Sequence, residues 1–265
     1  MSTIGVIGVG AMGEALLAGW LAAGWLADDI CVVDAVSSRA EQVGEKHGVR
    51  AVELAEVGGC DIIVIATKPQ QLAEVTEALA DVVTAETLVM SIAAGITIAA
   101  IAERLPEGTR IVRVMPNTPA LVGQGMSGIA PGPGVSDEEA ERALDLMRAV
   151  GSAVVLPEKQ LDAVTAVSGS GPAYLFYLAE AMTEAGVHAG LPRDVSTQLV
   201  NQTLLGAAQL LRDSDDSATV LRERVTSPAG TTAAALAQLD DRGVRAAVLA
   251  AISAAQQRSV ELSGS

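Results

Sequence analysis

The sequence predicts an α/β domain built on a mainly parallel sheet, followed by an all-α domain. Three observations carry this reading. Short, nearly uninterrupted apolar runs rich in β-branched residues recur through the first half, at Ile4–Ile7, Ile30–Val33, Ile62–Ile65, Leu88–Ile92 and Ile111–Val114. Segments with apolar residues at helical spacing separate them. Strand-like runs then vanish from about residue 158. Strands this short and this apolar are buried on both faces of a parallel sheet, and alternating strand and helix builds a doubly wound layer.

In chain order, the first run enters "IGVIGVGAMG", with Gly8, Gly10 and Gly13 in G-x-G-x-x-G spacing, and helical spacing covers Ala11–Ala23. The second run ends at Asp34. The third ends in "ATKPQ" (Ala66–Gln70), and the fifth enters "RVMPNTPALVGQG" (Arg113–Gly125), a Pro-Asn-Thr-Pro turn. A Gly/Pro-rich loop, "APGPGVSDEE", comes next. Ser136 with Glu139 three residues on is a capping box and starts a helix. A last strand, Ala153–Leu156, stops at Pro157, which sets the expected domains at 1–157 and 158–265. In the second, Pro172 opens a stripe of Leu175, Leu178, Ala179 and Met182 that stops at Gly186. Pro192 opens another, with Val195, Leu199 and Leu210, that runs to about Arg212. Val244, Val248, Ile252, Ala255 and Leu262 mark a third. Pro inside helix starts and Gly past their ends fits the known asymmetry. No internal repeat or low-complexity tract interrupts the pattern.

Composition narrows the function. Half of the 265 residues are hydrophobic, yet only two Trp, two Tyr and one Phe are aromatic. The core must be aliphatic and its helix contacts close. A net charge of −15 argues against nucleic-acid and anionic-membrane partners, which need clustered Lys and Arg. Cys31 and Cys60 read as buried free thiols, and His47 and His188 have no metal-ligand spacing. With no basic segment before an apolar run and no uninterrupted stretch of spanning length, a cytoplasmic protein is expected.

The glycine pattern is weak alone, but here it follows a strand, opens a helix and precedes a second strand, as a dinucleotide site requires. Gly8 permits a tight turn, Gly10 lets backbone approach a pyrophosphate, and Gly13 lets the helix pack on the sheet. The first turn, with Ala11 and Met12, offers free N–H groups at a positive dipole end. Asp34 stands where an acid binds ribose hydroxyls and repels a 2′-phosphate, which leans toward NADH. Ser37, Ser38 and Arg39 could instead receive that phosphate, so NADPH stays open. Ala66, Lys68 and Pro69 border the ligand crevice of such a sheet, with Lys68 either a surface lysine or part of a loop along the cofactor. Asn117 and its flanking prolines read as a rigid pocket wall.

In this order and spacing, "GVIGVGAMG", "ATKPQ", "VMPNTPALVGQG", "AVTAVSGSGPAYLFYLAEAM" and "VTSPAGTTAAALAQLD" make a specific combination. On these motifs the chain resembles the pyrroline-5-carboxylate reductases over essentially its whole length. The resemblance implies a Rossmann-like N-terminal domain and a helical C-terminal domain that builds a homodimer and completes each site, with larger rings of dimers known in the family. It implies NADH- or NADPH-dependent reduction of (S)-1-pyrroline-5-carboxylate to L-proline, the last step of proline biosynthesis. It makes Thr165 a proton donor near the imine. It places Val225, Ser227, Gly230, Thr231 and Thr232 in the loop that holds the substrate carboxylate. The chain departs from the pattern at Asp34, where the family commonly has Asn or Ser, and at Ala229-Gly230, where it commonly has Gly-Gly.

The residues suit the chemistry. A cyclic imine is protonated easily, so a hydroxyl or a water chain suffices and no catalytic His is needed. Thr165 is read equally as that proton donor or as a structural hydroxyl capping the helix that follows, and within a site its role could be only to orient a water. In "VTSPAGTTAAAL", Ser227 is expected to cap a helix beginning at Pro228, and Ala229–Thr232 to present N–H groups to a carboxylate without any basic side chain. A β-hydroxyacid dehydrogenase or imine reductase is the alternative enzyme, but the Thr165–Ala185 segment lacks the lysine that carbonyl chemistry relies on. A nucleotide-sensing scaffold would be expected to lose the carboxylate loop, which is present.

Overall fold

The computed structural model describes residues 2–264. Its strands are β1 (Ile4–Ile7), β2 (Ile30–Val33), β3 (Arg50–Ala51), β4 (Ile62–Ile65), β5 (Leu88–Ser91), β6 (Arg110–Met115), β7 (Gly125–Pro131) and β8 (Gly151–Val155). They form one sheet in the order β3-β2-β1-β4-β5-β6-β7-β8. Only the β6–β7 pairing is antiparallel. The helices are α1 (Ala11–Ala22), α2 (Ser37–His47), α3 (Leu72–Leu79), α4 (Ile98–Ala102), α5 (Asp137–Arg148), α6 (Leu161–Val164), α7 (Gly171–His188), α8 (Arg193–Asp213), α9 (Ala218–Arg224), α10 (Thr231–Asp241) and α11 (Val244–Ser263).

The apolar runs are strands because they are buried on both faces. Val6, Val64 and Met90 pack with Leu16, Trp20 and Met147 on one side. Ile7, Ile63, Ile65 and Val89 pack with Leu79 and Ile101 on the other. Neighbouring residues of a strand thus supply opposite layers. Trp20 is fully buried and its indole Nε1 donates to the Leu146 carbonyl at 2.8 Å, which holds α1 to α5. The capping box forms as expected. The Ser136 hydroxyl accepts from the Glu139 N–H, and the Glu139 carboxylate accepts from the Ser136 N–H at 2.8 Å.

Three expectations change. Strands β3 and β7 add to those read from the sequence. β3 has only two residues, and β7 runs from the end of the Pro-Asn-Thr-Pro segment into the start of the Gly/Pro-rich loop, through residues 126–129 that carry no long apolar run. At Gly128 a Cβ would press within 3.0 Å of Leu161 and Val164, so α6 packs directly on the β7 backbone. The first helical stripe does not stop at Gly186. Gly186 lies inside α7, where a side chain would collide with the Ser196 hydroxyl of α8, and Ser196 Oγ donates to the Thr183 carbonyl at 2.8 Å. By packing, the chain divides into two compact units, one of residues 2–170 with 255–264 and the other Gly171–Ala254. Within the first, Leu161 and Ala166 are fully buried, and Ser259 Oγ donates to Asp162 Oδ1 at 2.6 Å.

In the second unit, Gly171–Ala254, no residue of α7 or α10 is buried, and Leu175, Phe176 and Tyr177 are exposed. Among the described residues no helix is long and apolar enough to cross a membrane.

Candidate active site

The turn between β1 and α1 is built from glycines for steric reasons. Gly8 has φ 91°, and a Cβ on it would meet the Thr67 backbone nitrogen at 2.9 Å. A Cβ on Gly13 would enter the Gly8 carbonyl oxygen and approach the Ala66 Cβ at 3.3 Å, so the helix could not close on the turn. Around Gly10 the space is open for 4 Å, and Gly10 starts α1 with no side-chain cap. The N–H groups of the first turn, with Ala11 exposed and Met12 half-buried, are left to a ligand. This cradle fits a pyrophosphate.

Asp34 is already engaged with backbone. Its Oδ2 accepts from the Val9 N–H at 2.9 Å and its Oδ1 from the Val36 N–H at 3.0 Å. Arg39 Nε donates to the Val9 carbonyl at 2.7 Å. Both polar groups of the central turn residue are therefore held from the end of β2 and the start of α2. Glu14 of α1 extends this link to the other end of α2 through Lys46 Nζ at 2.7 Å and His47 Nε2 at 3.2 Å. Those hydrogen bonds, Lys46 foremost, lower its pKa. Ser37 and Ser38 are exposed beside Arg39. Sequence reasoning placed Asp34 at the ribose and did not foresee its hold on Val9.

At the end of β4, Ala66 packs on Gly13, Lys68 is exposed and Pro69 begins a short 3₁₀ turn. Thr67, not singled out in the sequence, has a buried Oγ1 with no hydrogen-bond partner, next to Gly8. A donor left unpaired beside a phosphate cradle is suited to a ligand oxygen.

Asn117, after β6, has its side chain committed to structure. Its Oδ1 accepts from the Met126 N–H at 2.8 Å, and its Nδ2 donates to the Ser168 carbonyl and hydroxyl at 3.2 and 3.1 Å. Any cofactor contact from Asn117 must therefore come from backbone or from rearrangement. Ser168 lies in a π-helix, Thr165–Gly169. Such wide turns concentrate at functional sites. Thr165 does not cap the following helix: its hydroxyl donates back to the Leu161 carbonyl at 2.8 Å, and its own carbonyl accepts from the Ser170 N–H.

In the second unit, Val225 is exposed at the end of α9, and Ser227–Gly230 form a turn closed by the Gly230 N–H to the Ser227 carbonyl at 3.0 Å. The expected cap is corrected here. Gly230, not Ser227, is the N-cap, and α10 starts at Thr231, not Pro228. The reason is Ala229, whose φ of 58° breaks the helical path between them. Pro228 at the second corner and a positive φ at the third define a type II turn, a place usually taken by Gly. With no side-chain cap on Gly230, the N–H groups of Thr231, Thr232 and Ala233 stand at the positive end of α10. The two threonine hydroxyls add donors.

A cavity of about 320 Å³ lies elsewhere, lined by Trp25, Ile62 and Arg142 among others. It sits at the edge where β4 begins, whereas ligands of open parallel sheets bind where strands end.

Residues 158–262 match the family model described as pyrroline-5-carboxylate reductase dimerisation. Residues 3–95 match one described as NADP oxidoreductase coenzyme F420-dependent. The pyrroline-5-carboxylate reductase of Mycobacterium tuberculosis is 42% identical, covering 99% of this chain and 97% of that protein. That of Pseudomonas aeruginosa is 46% identical over 84% of each. The structure of the Coxiella burnetii enzyme matches with a TM-score of 0.95 at 37% identity, covering 99% and 98% of the two chains. The Plasmodium falciparum enzyme, with NADP bound, matches at 0.87 and 30%, with the same coverage. With the glycine cradle, the π-helix and the basic-free helix start in place, these matches identify the chain as a member of the pyrroline-5-carboxylate reductase family.

Proposed function

We propose that this protein reduces (S)-1-pyrroline-5-carboxylate to L-proline with NADH or NADPH. The observation that carries the reading is the start of α10, an uncapped helix end with two threonines and no basic residue. It suits one small carboxylate: Gly230 leaves room for close approach, and the N–H groups of Thr231 to Ala233 bind the oxygens. The nicotinamide cofactor, when bound, supplies the hydride for the C=N carbon. The Gly8–Gly13 cradle holds its pyrophosphate, Asp34 faces the ribose, and Ala66, Lys68 and Pro69 flank its path. Asp34 favours NADH, while Arg39, Ser37 and Ser38 suit a 2′-phosphate, and the NADP of the Plasmodium relative keeps NADPH in play.

Thr165 acts as an orienter in this reading. Its hydroxyl hydrogen is given to the Leu161 carbonyl, so its oxygen offers lone pairs to a protonated imine or a water. Rate enhancement then comes chiefly from positioning, worth about 7–11 kcal/mol in well-oriented cases. The 158–265 segment works as the substrate-binding and dimerisation part of a cytoplasmic homodimer, open to assembly into a ring of dimers. The exposed apolar residues of α7, α8 and α11 support a partner subunit. The decisive experiment follows NADH and NADPH oxidation with pyrroline-5-carboxylate. Turnover with at least one cofactor is expected, and none with either overturns the proposal.

A further inference from the structure

Cys31 and Cys60 are separated in sequence by α2 and β3, yet their sulfurs lie 3.6 Å apart. Gly5 makes this possible. It sits on β1 in register with Cys31 on β2 and with Ile63 on β4. It has no side chain to part the two neighbours: a Cβ there would lie 3.0 Å from Val57 Cβ and 3.4 Å from the Cys60 sulfur. Cys31 is buried and Cys60 is partly exposed, and both are free thiols. The pair therefore has one partly exposed residue, Cys60, with the second sulfur in contact with its own. We propose that Cys31 and Cys60 are a modification site, a dithiol that peroxide converts to a disulfide bridging β2 and the entry to β4 across β1. The S–H of Cys31 shared with Cys60 lowers the Cys60 pKa, while that hydrogen bond and burial raise Cys31. Cys60 is thus the attacking thiolate.

The step balances. The Cys60 sulfur attacks one peroxide oxygen, the O–O bond breaks, and the leaving hydroxide takes a proton to become water. The Cys31 sulfur then attacks the Cys60 sulfenic sulfur, its proton goes to the departing hydroxyl, and a second water leaves as the S–S bond forms. Two thiols lose two electrons and peroxide gains them. The bridge closes a covalent loop that carries Asp34 and Arg39. It lies near the edge where β2 and β4 begin, away from the glycine turn, so it is expected to leave the cofactor KM within about twofold while raising the midpoint of denaturation.

The test treats the full-length protein with hydrogen peroxide and then alkylates it under denaturing conditions. Intact mass and peptide mapping follow. The expected result is loss of two hydrogens, a peptide pair linked through Cys31 and Cys60, no alkyl label on either, and reversal by dithiothreitol. In Cys31→Ser the link is absent and Cys60 gains oxygen instead. Wild-type protein in which both cysteines still alkylate, or in which Cys60 accumulates oxygen with no linked pair, overturns the proposal.

Discussion

Replacing Asp34 separates its hold on the glycine turn from the repulsion of a 2′-phosphate proposed for it. The Val9 N–H is buried and bonds to Asp34 Oδ2 at 2.9 Å. A charge-assisted bond of this kind contributes roughly 1.5–3 kcal/mol. Asp34→Ser removes it, because the shorter side chain can reach only the local Val36 N–H. Both NADH and NADPH should then bind about tenfold to a hundredfold more weakly, since about 1.4 kcal/mol is a factor of ten. Asp34→Asn keeps one acceptor for Val9 but removes the charge. A unit charge about 4 Å from a phosphate costs roughly 1 kcal/mol in bulk water and about 4 at an effective dielectric of 20. For a half-buried carboxylate the shift in preference toward NADPH should be about tenfold or somewhat more. The assay is the dissociation constant of each dinucleotide, with kcat/KM for each, in wild type and both variants. The preference should shift alike in Asn and Ser, with the common loss confined to Ser. A NADPH:NADH ratio within twofold of wild type in both variants refutes the reasoning, because Asp34 would not then face the ribose.

Thr232→Ala should raise the substrate KM several-fold with little change in the cofactor KM; an unchanged substrate KM counts against the carboxylate role of α10. Ala229→Gly should be near neutral, because relief of about 1 kcal/mol of left-handed strain is offset by about 0.4–1 kcal/mol of extra chain entropy in the unfolded state. Ala229→Val should cost a further 1–2 kcal/mol, as an order of magnitude, and raise the substrate KM, read from urea midpoints and kinetics; equal behaviour of the two variants would show that the turn does not need a positive φ. Glu14→Gln should lower stability by at most about 1 kcal/mol at neutral pH. Because Lys46 and His47 depress the folded pKa of Glu14, its contribution is present above the unfolded value and is lost as pH falls through the folded one. The gap between variant and wild type should therefore close below about pH 4, and a gap that persists in acid would exclude the ion pairs as its cause.

How legible the fold was depended on where the information resides. Doubly buried strands must be apolar along their whole length, so β1, β2, β4, β5 and β6 are visible as runs. Strand β7 has Gly128 where α6 packs onto backbone, and its signal is the absence of a side chain, which reads locally as a turn. The same holds for Gly186 in α7 and Gly5 in β1, whose meaning lies in Ser196 and in the Cys31–Cys60 contact, each supplied from elsewhere in the chain. The site divides in the same way. The glycine spacing at Gly8, Gly10 and Gly13 is legible because each glycine answers a clash within its own turn or with the adjacent β4 loop. The hold of Asp34 and Arg39 on Val9, and of Asn117 on Ser168, is not, because each joins segments that only the fold brings together. Ala229 shows the limit from the other side. Its departure from glycine is visible in the sequence and looks minor, since Ala is small. What the sequence does not show is the backbone: the φ of 58° at residue 229, not its methyl group, makes Ser227 a turn corner rather than a helix cap and sets the start of α10 at Thr231. The proposed carboxylate receptor therefore depends less on the serine that seemed to cap it than on the strained residue beside it.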